Sequence, residues 1–180
     1  MTETITLESL ADRAIKKAKE NLESIGEVGF VVLVVKDGKV RRWALPLDNS
    51  FLNNDTVKAK VFSLLRQYVK KFKFSAVTIC TEAWFTKATA KGLDIGTEMF
   101  YDLYQERGSE WMSKHGYSER SEVIICNVQN PEKSQLTRIE FLRNENEKPI
   151  YLDAEVAEYP IDSFQGRMKM YGNLSPENLQ

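Results

Sequence analysis

The sequence predicts an α+β fold: one domain with a mixed or mainly antiparallel sheet and helices packed on it. Three observations carry this. Asp37-Gly38 sits between two apolar runs, which marks a hairpin because such a turn needs positive φ at its centre. Two long segments repeat apolar residues at three- and four-residue spacing, the period of a helix face. The chain then closes with three short apolar or alternating segments separated by polar turns. With 180 residues, 42% of them hydrophobic, the chain is long enough for one core without a disulfide or metal staple. No Pro-, Gly- or Ser-rich linker divides it. The predicted domain spans residues 1–157, and 158–180 reads as an irregular, partly disordered tail.

The expected order is helix, hairpin, helix, strand, helix, three-stranded end. Leu7 to Ile25 is amphipathic, with Thr6 placed to cap it and Gly26 to end it. Phe30 to Val35 is apolar and mostly β-branched, so it predicts a central strand covered on both faces. Val40 to Leu45 is its hairpin partner, stopped by Pro46. Asn54 to Thr56 offer capping side chains for a second helix through Val57, Val61, Leu65, Val69 and Phe72. Phe74 to Phe85 reads as a strand with Ala76 to Cys80 as its buried part. Gly92 and Gly96 bracket a loop, followed by a helix from Thr97 to Lys114 that Gly108 weakens. Glu122 to Val128, Ser134 to Arg143 and Ile150 to Ala157 complete the sheet.

Composition excludes several chemistries. The 25 Lys+Arg against 26 Asp+Glu give a net charge of −1, which argues against a dedicated nucleic-acid binder. The basic stretch Tyr68-Val69-Lys70-Lys71-Phe72-Lys73, with its interleaved aromatics, has two readings, a nucleic-acid contact or lysines that complement a helix C-terminus, and the second is the expectation. The longest apolar run falls far short of the roughly 20 residues of a membrane span. Met1 to Ile5 shows no secretory pattern, and the last residues show no lipidation motif. Two cysteines in apolar runs, Cys80 and Cys126, read as buried thiols and predict a reducing cytoplasm. A single histidine, His115, leaves no two-His zinc site, and no metal or cofactor is expected. The opening order of elements resembles that of zinc nucleobase deaminases, but their H-x-E and P-C-x-x-C ligands are absent. No Gly-rich phosphate loop and no G-x-S-x-G elbow is present.

Thr81-Glu82-Ala83-Trp84 is the least ordinary segment, a buried apolar strand running into a carboxylate and an indole. Strand alternation puts Glu82 and Trp84 on one face. A carboxylate there must be solvated, paired or protonated. Two readings follow. In one, Glu82 and Trp84 floor a binding pocket, with Lys87 or Lys91 downstream, or Arg41 or Arg42 from the hairpin, pairing with the carboxylate or an anionic ligand. In the other, Glu82 makes a structural ion pair and Trp84 closes the core. No second carboxylate is fixed by spacing, although Glu98, Asp102 and Glu106 share a helix face, and no catalytic residue can be assigned.

The strand ending Thr81-Glu82-Ala83-Trp84, followed by Arg120-Ser121-Glu122-Val123, resembles a pattern in uncharacterised bacterial and phage proteins, in which an apolar strand ends in Ser-Glu-Ala-Trp. The resemblance covers roughly Lys58 to Leu152. It implies a shared fold and no known activity. The function expected is thus a non-catalytic binding or accessory domain of bacterial or phage origin, with a protein or small-molecule partner. The alternative is a small enzyme or ligand-binding protein with its pocket at the Glu82/Trp84 strand end.

Overall fold

The computed structural model describes residues 5–43, 54–163 and 168–171. The expected strand end at Leu45-Pro46 and the tail positions Gly166, Gly172 and Pro176 lie outside the described residues. Within them the chain is an α+β domain of four helices and six strands.

Helix α1 (Leu7–Ile25) begins at a reciprocal cap. Ser9 N–H donates to Thr6 Oγ1 at 3.1 Å, and Thr6 N–H donates to Ser9 Oγ at 3.1 Å. Gly26, at φ 79°, ends it, with its N–H bonded to the Leu22 carbonyl. Strands β1 (Phe30–Lys36) and β2 (Lys39–Trp43) form the expected hairpin, with Asp37 and Gly38 both at positive φ. Helix α2 (Asp55–Phe72) starts at Asn54, whose side chain accepts from Val57 N–H. Strand β3 (Ala76–Ala88) follows, then the short helix α3 (Ala90–Asp94), helix α4 (Thr97–Lys114), and strands β4 (Ser118–Gln129), β5 (Lys133–Arg143) and β6 (Pro149–Pro160).

All six strands pair antiparallel, in the order β2-β1-β3-β4-β5-β6. The two faces of the sheet are covered by different helices. On one face α1 lays Leu10, Ala14, Ala18 and Leu22 against Val31, Leu33, Cys80, Ile124, Cys126 and Phe141. On the other, Val61, Phe62, Leu65 and Val69 of α2 cover Val32, Val34, Val77 and Ile79. β1 is therefore buried on both faces, as its unbroken apolar run requires.

The second face is finished by Met168 to Tyr171. Gln129, fully buried at the end of β4, donates from Nε2 to the Met168 carbonyl and accepts at Oε1 from Met170 N–H at 2.8 Å. Tyr171 donates its hydroxyl to the Phe74 carbonyl at 2.9 Å. Part of the segment expected to be irregular is thus fastened to the core.

β4 begins at Ser118 rather than Glu122, and other boundaries differ from expectation for identifiable reasons. β3 runs three residues past Phe85 although its apolar run has ended, because β4 pairs with it from Val77↔Gln129 to Ala88↔Ser118 and satisfies its backbone throughout. β6 continues past Ala157, held by pairing of Tyr159 with Ser134 and by a Lys133–Glu158 ion pair. The stretch bracketed by Gly92 and Gly96 is helical as far as Asp94, because the Thr89 hydroxyl caps α3 by accepting from Gly92 N–H. α4 does break at Gly108, at φ 79° and ψ 165°.

Candidate binding site

The site forms where β3 outruns α1. Ala76 and Cys80 lie under α1, and alternation continues their row as Glu82, Trp84, Thr86 and Ala88 beyond the helix end. The chain then makes an excursion, α3 and α4, before returning along β4. Its two ends are tied together. Thr89 N–H donates to the Tyr117 carbonyl at 3.1 Å, and its hydroxyl donates to the Gly116 carbonyl at 2.7 Å. The same Oγ1 caps α3 by accepting from Gly92 N–H. Gly92 must be glycine for this docking, since a Cβ there would stand 2.0 Å from the Tyr117 carbonyl oxygen.

A cleft of about 500 Å³ lies between the strand and the excursion. Trp84, Thr86 and Ala88 form its floor. Phe100, Tyr101 and Tyr104 form one wall, and Leu93 and Thr97 close the end. The volume is that of a small-molecule site, and the lining is apolar and aromatic with a few hydroxyls. Two of its aromatic side chains face solvent, Trp84 at 59% and Tyr101 at 62% exposure, while Phe100 and Tyr104 are half-buried.

Charged groups border the floor. Arg120 stands opposite Thr86 in the β3–β4 register, with its guanidinium 4.6 Å from the centre of the Trp84 ring. Its Nε is buried and has no hydrogen-bond partner among the described residues. Glu122, opposite Trp84, is bound by Arg143, whose Nε lies 3.1 Å from Glu122 Oε2 and whose Nη2 donates to the Gly26 carbonyl at 3.2 Å. Glu82 accepts from Val28 N–H at 3.3 Å. Burial raises the Glu82 carboxyl above its ordinary range. The Val28 hydrogen bond opposes this, the Glu122 charge adds to it and the Arg143 charge opposes it.

Glu82 and Trp84 therefore share a face as expected, but with different surroundings. Trp84 floors the cleft. Glu82 turns toward the α1–β1 connection and is not among the residues lining the cleft. Lys87 lies on the opposite face of β3, near Glu155, whose carboxyl is lowered first by its hydrogen bond to Arg138, then by the Arg138 charge, and last by Lys87. Arg41 pairs in register with Val34, which faces α2, so it too is on the opposite face and two strands away. Lys91 donates to the His115 carbonyl at 2.9 Å and stacks over Tyr117. The cation beside Glu82 and Glu122 is Arg143. The roles of Arg120, Glu122 and Arg143 were not evident from local sequence. Aligning the apolar centres of β3 and β4 on Cys80 and Cys126 would have placed Arg120 opposite Thr86 and Glu122 opposite Trp84.

Among the described residues, no cluster of three or more His, Cys, Asp or Glu is arranged to hold a metal ion. No described helix is long and apolar enough to cross a membrane. No family model, no curated protein and no solved structure matches this chain.

Proposed function

We propose that this protein is a non-catalytic binding domain that holds a small ligand in the cleft floored by Trp84. One observation carries this reading: a large indole stays 59% exposed in a concave, aromatic-walled space of about 500 Å³. Such a surface is costly to leave in water unless something covers it. A catalytic reading would need Glu82 as acid or base, and Glu82 is instead engaged by Val28 N–H outside the cleft. We place the protein in a reducing compartment, the cytoplasm. The buried free thiols of Cys80 and Cys126, opposite each other across β3 and β4, support this. The resemblance in the Glu-Ala-Trp corner supports a bacterial or phage origin and an accessory role.

The test is ligand-observed NMR screening of a mixed fragment set against wild type and Trp84→Ala, with folding checked by circular dichroism. Fragments that bind wild type and are lost in the folded variant support the reading. An absence of hits, or hits indifferent to Trp84, defeats it.

A further inference from the structure

We infer that the protein binds single-stranded nucleic acid on a basic, aromatic patch formed by α2 and the β1–β2 hairpin. The patch lies on the α2 face of the sheet and at the other end of β3 from the cleft, and it is independent of the cleft reading. The net charge of −1 conceals an uneven distribution. Residues 36–73 hold ten of the 25 basic residues and three of the 26 acidic ones, a net charge of +7 that leaves −8 on the rest of the chain. Of the three acids, Asp37 sits in the hairpin turn, Asp55 opens α2 at its far end, and Asp48 lies outside the described residues.

Rings from helix and strand meet in this patch. Tyr68 and Phe72, one turn apart on α2, lie nearly parallel with centres 5.7 Å apart. Trp43 of the edge strand β2 meets Tyr68 edge-on at 5.0 Å, and Phe74 closes the group, 5.8 Å from Phe72 and 5.9 Å from Trp43. Tyr68 remains 36% exposed and Phe72 38%. Cations stand at the same level. The Nζ atoms of Lys36 and Lys71 each lie 5.6 Å from the centre of the Phe72 ring. Lys39 pairs with Lys36, and Arg41 with Val34, which packs under α2, so both side chains share this face. None of these four cations has an ion-pair partner among the described residues. The α2 C-terminus accounts for Lys71, and protection of a sheet edge for Lys39 and Arg41, but neither accounts for exposed rings set among them. A single strand uses both, since its unpaired bases stack on ring faces and its phosphates take the cations. A duplex hides its base faces, and an acidic polypeptide has no rings to stack. A membrane calls for apolar groups that stand clear of the cations, whereas Lys36 and Lys71 reach Phe72 itself.

The experiment follows a fluorescein-labelled oligothymidylate by anisotropy over a series of NaCl concentrations. Four phosphate contacts predict that log affinity falls with log salt at a slope of about −3, and Lys36→Gln and Lys39→Gln should each flatten it by about 0.7. Phe72→Ala, shown to be folded by circular dichroism, should weaken binding about five- to hundredfold, the scale of one lost base stack. Tyr68→Ala serves should Phe72→Ala fail to fold. Trp84→Ala should bind the oligonucleotide as wild type does, which separates the patch from the cleft, and a loss there overturns the placement. No binding at low salt, or binding indifferent to the ring variants, overturns the inference. Equal affinity for duplex or for base-free polyphosphate, or tighter binding to phosphatidylserine vesicles, overturns it as well. In each of these cases the cleft still stands or falls by the Trp84 screen.

Discussion

Gly92→Ala tests whether the cleft wall is docked as described. The added Cβ would lie 2.0 Å from the Tyr117 carbonyl oxygen and 2.9 Å from Phe100 Cε2. An unstrained carbon–oxygen contact needs about 3.3 Å, so the gap must open by roughly 1.3 Å. Tyr117 has little room to yield, because its carbonyl is bound by Thr89 N–H and β4 begins at the next residue. The relief must come from α3 moving away from the strand end and pushing on Phe100. Overpacking costs about 1–3 kcal/mol, and a clash with hydrogen-bonded backbone rather than a flexible side chain belongs in the upper part of that range, about 2–3 kcal/mol. The intrinsic helix preference of Ala over Gly returns about 0.8–1 kcal/mol. The net loss is about 1–2 kcal/mol, which for a chain of this size lowers Tm by about 2–8 °C. Thermal unfolding followed by circular dichroism reads it directly. The sign decides the matter, since helix propensity alone predicts a rise. A Tm equal to or above wild type would show that α3 does not approach Tyr117 as closely as described, and would remove the basis for the cleft's shape.

Other outcomes follow from the surrounding chemistry. Burial raises the Glu82 carboxyl, so the folded state binds its proton more tightly than the unfolded chain and loses stability as pH rises through the raised value. Urea midpoints of Glu82→Gln should match wild type at acidic pH and equal or exceed it at neutral pH; a deficit that grows toward neutral pH would contradict this. Cys80 is held well above the ordinary thiol range, first by its hydrogen bond to Cys126 and then by burial. Labelling of native protein by Ellman's reagent should therefore proceed only at the rate of global unfolding, and fast labelling of either thiol would refute it. Gln129→Leu leaves the Met168 carbonyl and Met170 N–H without their partner in the core, at a cost of about 2–3 kcal/mol. An unchanged urea midpoint would mean that Met168 to Tyr171 is not held by Gln129.

What the sequence revealed and what it concealed have physical reasons. Both long helices were legible because their caps and apolar stripes are local: Thr6 and Asn54 act within three residues of where they stand. The Asp37-Gly38 hairpin was legible because positive φ constrains residue choice. The length of β3 was not, since Thr86 to Ala88 are strand by virtue of β4, a partner thirty or more residues away in sequence. Gly92 looked like a loop marker because the oxygen that excludes its Cβ belongs to Tyr117. In the site, alternation correctly grouped Glu82 with Trp84, but it is silent about neighbours from other strands. Lys87 and Arg41 read from the sequence as cations near Glu82, and the sheet turns both to its other face. Arg143 reaches Glu122 from β5, a pairing that only the β4–β5 register defines.

The closure of the excursion at Thr89 and Tyr117 separates the molecule into a part that folds and a part that selects. β3 and β4 keep one unbroken register from Val77↔Gln129 to Ala88↔Ser118, while the insert joining them packs back on the pair and buries Met112. The cleft's floor thus belongs to the sheet, and its wall to an insert whose ends are a hairpin's width apart. Replacing the exposed aromatic Tyr101 on its wall changes what fits against Trp84 without disturbing a core pair. In such an architecture, new specificities are reached by rewriting one loop-like module on a fixed sheet.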